Sequence, residues 1–129
     1  FSIVPVTIRN TSFETCQDLG AAVSKAIRSY SKPVLMVASS DMNHYEPDAL
    51  TRIKDHKALD KVLALDPEGL HRVIREEQIS MCGFVPTVVM LIAAKTLGAA
   101  AADFIDYRTS GEVNGDYERV VGYAGVVVR

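Results

Sequence analysis

The chain has 129 residues, of which 48% are hydrophobic and 23% charged, a composition typical of one compact domain or part of one. Its formal net charge is -2, so it lacks the basic field that holds a phosphate backbone, and we expect no nucleic-acid partner. The most apolar stretch, residues 85–94, falls far short of the roughly 20 residues that cross a bilayer. No membrane partner is expected either.

Two apolar segments flank the first predicted helix. Residues 3–8 are strand-like, and the spacing of Thr11 and Glu14 is that of a capping box that opens a helix over residues 12–30. Residues 34–38 are a short continuous apolar run, typical of a strand that is buried on both faces. A strand, a helix and a second strand predict a parallel βαβ unit.

The rest of the chain predicts three more helices and a hairpin. Residues 47–64 and 67–78 have amphipathic helical patterns, and residues 87–97 predict a helix that is apolar on nearly all sides and belongs to the core. Residues 102–109 and 119–128 are strand-like and joined by a polar connection, which predicts an antiparallel hairpin. The fold class expected is α/β: a three-layer α/β/α sandwich whose mixed sheet combines the βαβ unit with this hairpin.

A polar loop follows the second predicted strand, and ligands in parallel sheets usually bind at that end of a strand. The loop contains Asp41 and His44, three residues apart. A carboxylate at this spacing can orient an imidazole for acid/base work near neutral pH. The alternative is an aspartate that caps backbone amides beside a solvated histidine.

Cys82 lies just before Gly83 and the start of the predicted core helix. Amide groups at a helix N-terminus favour the thiolate, the form that binds metal or attacks carbon, although an inert core cysteine is the alternative. Both this helix start and the polar loop should lie at one edge of the sheet, so we expect Cys82 to meet Asp41 and His44 there. Gly83 would then let the backbone come close to a ligand.

Other reactive residue types have simpler interpretations. Cys16 falls on the apolar stripe of the first helix, where it should act as a small hydrophobe. Two widely spaced cysteines without a CxxC motif predict reduced thiols and a cytoplasmic protein. His56 and His71 have charged helical neighbours and are expected at the surface. A cluster near the hairpin turn either lines a pocket or reflects only turn chemistry: Tyr107, Arg108, Ser110 and Glu112.

Four segments in order carry a family resemblance: residues 38–45 (ASSDMNHY), 80–83 (SMCG), 110–112 (SGE) and 120–124 (VVGYA). Together they resemble the Memo family, which includes the AmmeMemoRadiSam system protein B and is similar to class III extradiol (LigB-type) dioxygenases. The resemblance covers essentially the whole chain. It implies that residues 1–129 are the C-terminal portion of a single Memo-like α/β domain whose N-terminal half is absent.

The resemblance also implies a metal site. Iron or copper would be held by two histidines from the absent half and by Cys82, with His44 as an acid/base or as a group that stabilises bound oxygen, and with Asp41 orienting it. Without those histidines the chain alone is expected to bind metal weakly or not at all. Its apolar strand edges are expected to associate with a second copy or with the absent half.

Two functions of the complete protein follow from the resemblance. One is a metal-dependent redox or dioxygenase-like enzyme, and the other is a non-catalytic protein- or peptide-binding module with a vestigial crevice. Radical-SAM proteins, AMMECR-type proteins or a peptide are the partners that the family implies. A third interpretation makes Cys82 a nucleophile activated by His44, as in thiol hydrolases.

Overall fold

The computed structural model describes all 129 residues, as five helices and a three-stranded sheet. The α/β class predicted from the sequence is confirmed. In chain order the elements are α1 (Phe13–Ser29), β1 (His44–Glu46), α2 (Asp48–Leu63), α3 (Pro67–Glu76), α4 (Phe84–Leu97), β2 (Ala102–Thr109), α5 (Gly111–Asn114) and β3 (Val120–Val128). No helix combines the length and apolar character that a membrane crossing needs.

The predicted helices are all present, with small shifts at their starts. The residue that caps α1 is Ser12 and not Thr11, because the Ser12 hydroxyl accepts the backbone N–H of Thr15 at 3.2 Å. Helix α4 begins at Phe84, three residues earlier than predicted. Pro86 falls within its first turn, where a missing N–H removes no helical hydrogen bond.

Helix α4 forms the centre of the core, as predicted. It packs against both α1 and α3, and its side chains Val88 and Leu91 have no exposed surface. Helices α1 and α4 come close at Gly20, where an added Cβ would lie 2.6 Å from Cγ2 of Ile92. Helix α2 packs on the sheet instead, and contacts both β2 and β3.

The sheet has β3 at its centre, with the order β1-β3-β2, and both pairings are antiparallel. The β2–β3 ladder runs from Ala102 opposite Val128 to Thr109 opposite Gly122, which confirms the predicted hairpin. Its connection contains the short helix α5. Strand β1 begins at His44, three residues after Asp41, and pairs with β3 beside the hairpin.

The predicted parallel βαβ unit does not form within these residues, and the sheet is antiparallel rather than mixed. Residues 3–8 and 34–38 are not in strands and make no backbone hydrogen bonds. Most of their apolar side chains face solvent, and Leu35 is 86% exposed, whereas Ile8, Met36 and Ala38 are partly buried. The prediction of a buried strand at residues 34–38 is therefore wrong for this structure: a strand needs a hydrogen-bonding neighbour, and this chain places none beside either segment.

Candidate functional site

The loop that carries Asp41 and His44 is fastened to the central strand. The N–H of Met42 donates to the carbonyl oxygen of Gly122 at 2.9 Å, and the N–H of Gly122 donates to the carbonyl oxygen of Asn43 at 3.0 Å. Strand β1 continues this antiparallel contact, with His44 opposite Val121. The backbone of the loop is thus held by β3 just where its polar side chains begin.

Asp41, His44 and Cys82 meet at the surface, as expected from the sequence. Their ligating atoms all lie within 4.8 Å of one another, and Oδ2 of Asp41 is 3.8 Å from Nε2 of His44. The Cys82 sulfur accepts the backbone N–H of Asp41 at 3.2 Å. Asp41 and Cys82 are exposed, and His44 is partly buried. Two segments about forty residues apart in the chain therefore build one cluster.

This donor set is chemically suited to a transition metal. Thiolate, imidazole and carboxylate ligands together suit several transition metals, zinc, iron and copper among them, and metal–ligand bonds of about 2.0 to 2.3 Å require donors closer together than the present spread. The exposed side chains of Asp41 and Cys82 have room for the small rotations that this needs. The cluster therefore fits a metal site in which at least one of these side chains binds the ion and further ligands come from elsewhere.

Gly83 has a different role from the one expected. A Cβ at this position would lie 2.4 Å from the carbonyl oxygen of Ser39 and 2.5 Å from Cβ of Ser40. The N–H of Gly83 donates to the Ser40 hydroxyl at 2.8 Å. The glycine therefore lets the chain's own loop approach the start of α4, and this contact brings Cys82 beside Asp41.

A buried asparagine, which sequence reasoning passed over, joins the two segments of the cluster. Asn43 is 1% exposed, and its Oδ1 accepts both the N–H and the hydroxyl of Ser80 at 3.0 Å. Its Nδ2 donates to Oε2 of Glu46 at 2.6 Å. The Ser80 hydroxyl in turn accepts the N–H of His44 at 2.7 Å. Asn43 lies between Asp41 and His44 in sequence, and nothing in the sequence marks it as more than a polar loop residue. Only its hydrogen-bond partners in the structure show its role.

Beneath Asn43 lies a fully buried carboxylate, Asp55 on α2. Its Oδ1 accepts the N–H of Asn43 at 2.8 Å, and its Oδ2 accepts the hydroxyl of Tyr107 at 2.7 Å. Burial raises the pKa of Asp55 above its ordinary value, although both hydrogen bonds oppose this. Burial, reinforced by Asp55, also raises the pKa of Tyr107. Asp55 is the one acidic residue on the buried face of α2, and this position is the sequence signal that could have identified it. The buried residues of α2 are Thr51, Asp55, Ala58, Leu59 and Val62.

The remaining histidines and the other cysteine lie away from the cluster. His56 is exposed, with Nδ1 2.7 Å from the carbonyl oxygen of Arg52, and Nε2 of His71 is 2.8 Å from the carbonyl oxygen of Thr11. Cys16 is fully buried, which confirms its prediction as a small core residue. None of the three joins Asp41, His44 and Cys82.

The polar residues near the hairpin turn form an ion-pair network. Glu112 accepts hydrogen bonds from Arg52 at 2.8 Å and from Arg108 at 2.9 Å, and these two partners lower the pKa of Glu112 to about 2. The hydroxyl of Ser110 accepts the N–H of Val121 at 3.0 Å. These contacts fasten α2 to the hairpin, so turn chemistry and ion pairing account for the cluster.

A cavity of about 480 Å³ opens beside the site, between residues 34–38 and residues 124–128 of β3; we call it the apolar groove. Of its 18 lining residues 15 are hydrophobic, which makes it an apolar surface rather than a polar cleft. Met42 and Met81 line it, and these are the direct sequence neighbours of Asp41 and Cys82. The groove and the cluster are therefore adjacent.

Comparison with known proteins identifies relatives across the whole chain. The model of the family described as Memo-like protein matches residues 1–127. A MEMO1 family protein of Methanothermobacter thermautotrophicus is 41% identical over 124 residues, which are 96% of this chain and 45% of that protein. One from Methanopyrus kandleri is 36% identical over 129 residues, 100% of this chain and 46% of that protein. The match to one from Saccharolobus solfataricus is 41% over 124 residues, 95% of this chain and 43% of that protein.

These alignments have two consequences. The chain spans less than half the length of the curated relatives that it matches. Because the family model matches nearly every residue, and the relatives align over almost the full chain, this chain belongs to the family of Memo-like proteins.

Proposed function

We propose that the complete protein is a metal-dependent redox enzyme that holds iron or copper with the help of Cys82. The observation that carries this proposal is the convergence of three potential metal-binding side chains, from two distant segments, within 4.8 Å. A bound iron or copper ion would supply one-electron redox chemistry. Cys82 is the ligand that this chain contributes, and the remaining ligands come from the part of the relatives' length that the chain does not span.

In this proposal His44 moves a proton at Nε2. That atom faces the Asp41 carboxylate at 3.8 Å, an ion-pair distance when the imidazole is protonated. Asp41 is positioned by its own N–H, which donates to the Cys82 sulfur. The three residues would thus keep an acid/base group beside the metal-binding thiolate.

The test is the metal content of the full-length protein containing these residues, purified without oxygen, beside its Cys82→Ala variant. We expect stoichiometric iron or copper in the unmodified protein and a loss of most of it in the variant. Cys16→Ala is the matched control, since that thiol is fully buried in α1 and should leave the metal content unchanged. A full-length protein that contains neither metal would overturn the proposal.

A second candidate, a peptide-binding module, is favoured by the apolar groove. One wall is strand β3 at residues 124–128, and the facing wall, residues 34–38, makes no backbone hydrogen bonds. An extended apolar peptide could therefore add there as a strand and bury its side chains on the methionines.

Selection from a library of random extended peptides tests this candidate. Enriched peptides should bind the protein and lose affinity in Met36→Glu, which places a charge in the groove on a half-buried side chain. His44→Ala is the control for the neighbouring cluster and should bind the same peptides. If no sequence is enriched, or if Met36→Glu binds as well as the unmodified protein, the groove is not a peptide site.

A further inference from the structure

The donor atoms of the cluster lie on two separate parts of the chain. Asp41 and His44 belong to the loop that enters β1, whereas Cys82 lies in the turn before α4. Neither a helix nor a strand spans the two, so regular secondary structure does not set their separation. Contacts between loops hold the two parts together: one is the approach of Gly83 to Ser40 described above, and a second involves the residues next to His44.

The side chain of Asn43 and the hydroxyl of Ser80 supply that second contact. The orientation of the Asn43 carboxamide is fixed, because the Ser80 backbone N–H can only donate and therefore requires Oδ1 as its acceptor. The Ser80 hydroxyl donates to the same Oδ1 and accepts the N–H of His44 at 2.7 Å. The cluster has two arms, Asp41 with His44 on one side and Cys82 on the other. Ser80 is two residues from Cys82, and Asn43 is next to His44, so the contact is made close to both arms.

Asn43 is itself held by three further residues, two of them buried. Its N–H donates to Asp55 at 2.8 Å, and its Nδ2 donates to Glu46 at 2.6 Å and contacts the Thr51 hydroxyl at 3.3 Å. Asn43, Asp55 and Thr51 are each at most 1% exposed. No buried side-chain polar atom in the structure lacks a hydrogen-bond partner, so rotation of the Asn43 side chain would break hydrogen bonds that are now made.

We propose that Asn43 and Ser80 are positioning residues, which set the distance between the Asp41–His44 arm and Cys82. We call their shared contact the Asn43–Ser80 tie. The tie touches no metal or substrate and acts through His44 and Cys82. That it serves metal binding rests on the proposed function, whereas its effect on the geometry of the two arms does not.

The experiment compares three variants of the full-length protein containing these residues. Ser80→Ala removes the hydroxyl at an exposed position, so the variant should still fold, and Ser80→Thr keeps a hydroxyl there. Ile79→Val is the matched control: it trims a buried side chain next to Ser80 without changing a partner of Asn43. Asn43→Ala removes the tie completely, but its burial makes it the variant at risk of misfolding.

The first measurement needs no metal. The amide of Asp41, which donates to the Cys82 sulfur, reports whether the two arms stay in contact. We expect its hydrogen exchange in Ser80→Ala to be faster by about fivefold or more, the effect of losing one hydrogen bond, with Ser80→Thr and Ile79→Val close to the unmodified protein. Equal acceleration in Ser80→Ala and Ile79→Val would overturn the tie, because general destabilisation would then explain it.

The second measurement is a titration with cobalt(II) chloride, followed by the sulfur-to-cobalt charge-transfer absorption. We expect Ser80→Ala to bind cobalt about 10- to 100-fold more weakly, the usual effect of changing a residue that orients a metal ligand, and Ser80→Thr to restore binding. Unchanged cobalt affinity in Ser80→Ala would show that the tie does not serve a metal site. An unmodified protein that binds no cobalt counts against the proposed function instead, and the exchange of the Asp41 amide still decides the tie.

Discussion

Two neighbouring stretches of the chain are held in opposite ways. Residues 42–46 are fixed by hydrogen bonds to β3, to Asp55 on α2 and to Ser80. Residues 34–38, only a few positions earlier, make no backbone hydrogen bonds and expose Leu35 and Val37. The loop with the candidate site therefore has its supports within these 129 residues, whereas the apolar segment that leads to it has none. Hydrogen bonds made by residues 42–46, rather than packing of the apolar segment 34–38, hold the site residues in place.

The largest effect is expected where the buried support of the loop is most crowded, at Gly122. An added Cβ would lie 1.9 Å from Oδ2 of Asp55, so Gly122→Ala must displace the carboxylate or the strand. We expect the free energy of unfolding to fall by about 3 kcal/mol, as for other overpacked sites. Chemical denaturation measures it.

Gly125→Ala is the matched control, because Gly125 is on the same strand and an added Cβ there meets only Ile105, at an ordinary 3.5 Å. It should change stability by less than about 1 kcal/mol in either direction. Equal losses at the two glycines would mean that strand β3, and not the Asp55 network, is sensitive to an added methyl group.

A smaller, pH-dependent effect is expected for Tyr107→Phe. The variant removes the hydroxyl that donates to Asp55, which should lower the free energy of unfolding at neutral pH by about 1 to 3 kcal/mol. It also raises the pKa of Asp55 further, because this hydrogen bond is one of the causes that lower that pKa.

The sign of the pH dependence follows from the raised pKa of Asp55. An acid whose pKa is raised in the folded state contributes most stability below its ordinary value of 3.8 and loses that contribution as pH rises through the folded value. The loss of unfolding free energy in Tyr107→Phe should therefore become smaller as pH falls toward 3.8, the ordinary pKa of the carboxyl. Denaturation at several pH values measures it, with Tyr123→Phe, an exposed tyrosine on β3, as the control. A deficit that is constant with pH would contradict the assignment of Tyr107 as partner of a charged Asp55.

The smallest effect is expected in the unsupported stretch, at Leu35. Its side chain is 86% exposed, so Leu35→Ser should change the free energy of unfolding of this chain by no more than about 0.5 kcal/mol. The same variant should reduce self-association in sedimentation experiments, because it removes apolar surface. A loss of stability well above that limit would show that residues 34–38 are packed, and would remove the contrast with the loop.

The sequence predicted the helices well because their signals are local. Apolar residues recur at helical spacing in α1, and Asp66 caps α3 by accepting the N–H of Gly69 at 2.8 Å. The strands 34–38 and 3–8 were predicted from equally local patterns, but a strand exists only with a neighbour, and no local pattern shows whether one is present. The antiparallel hairpin succeeded because both of its strands are in the chain.

The candidate site divides in a similar way. The side chains with obvious chemistry, Asp41, His44 and Cys82, could be named from the sequence, and the structure brings them together while their roles remain predictions. The supporting residues could not be named. Asn43 and Ser80 are ordinary loop residues in sequence, and their importance depends on a contact across 37 positions of the chain. Only Asp55 has a recognisable sequence signal, because it is an acidic residue on the buried face of α2.

The large sequence separation of these contacts also bears on the order in which parts of the chain fold. Asn43 reaches Ser80 across 37 residues, and Tyr107 reaches Asp55 across 52, so each contact closes a large loop that is entropically costly before the rest of the chain is in place. Helices α1 to α4 can form from neighbouring residues, but the cluster requires α2, the turn before α4 and the hairpin to have docked already. We therefore expect the site to form late in folding, so that contact between Cys82 and His44 reports that α2, the turn before α4 and the hairpin have docked.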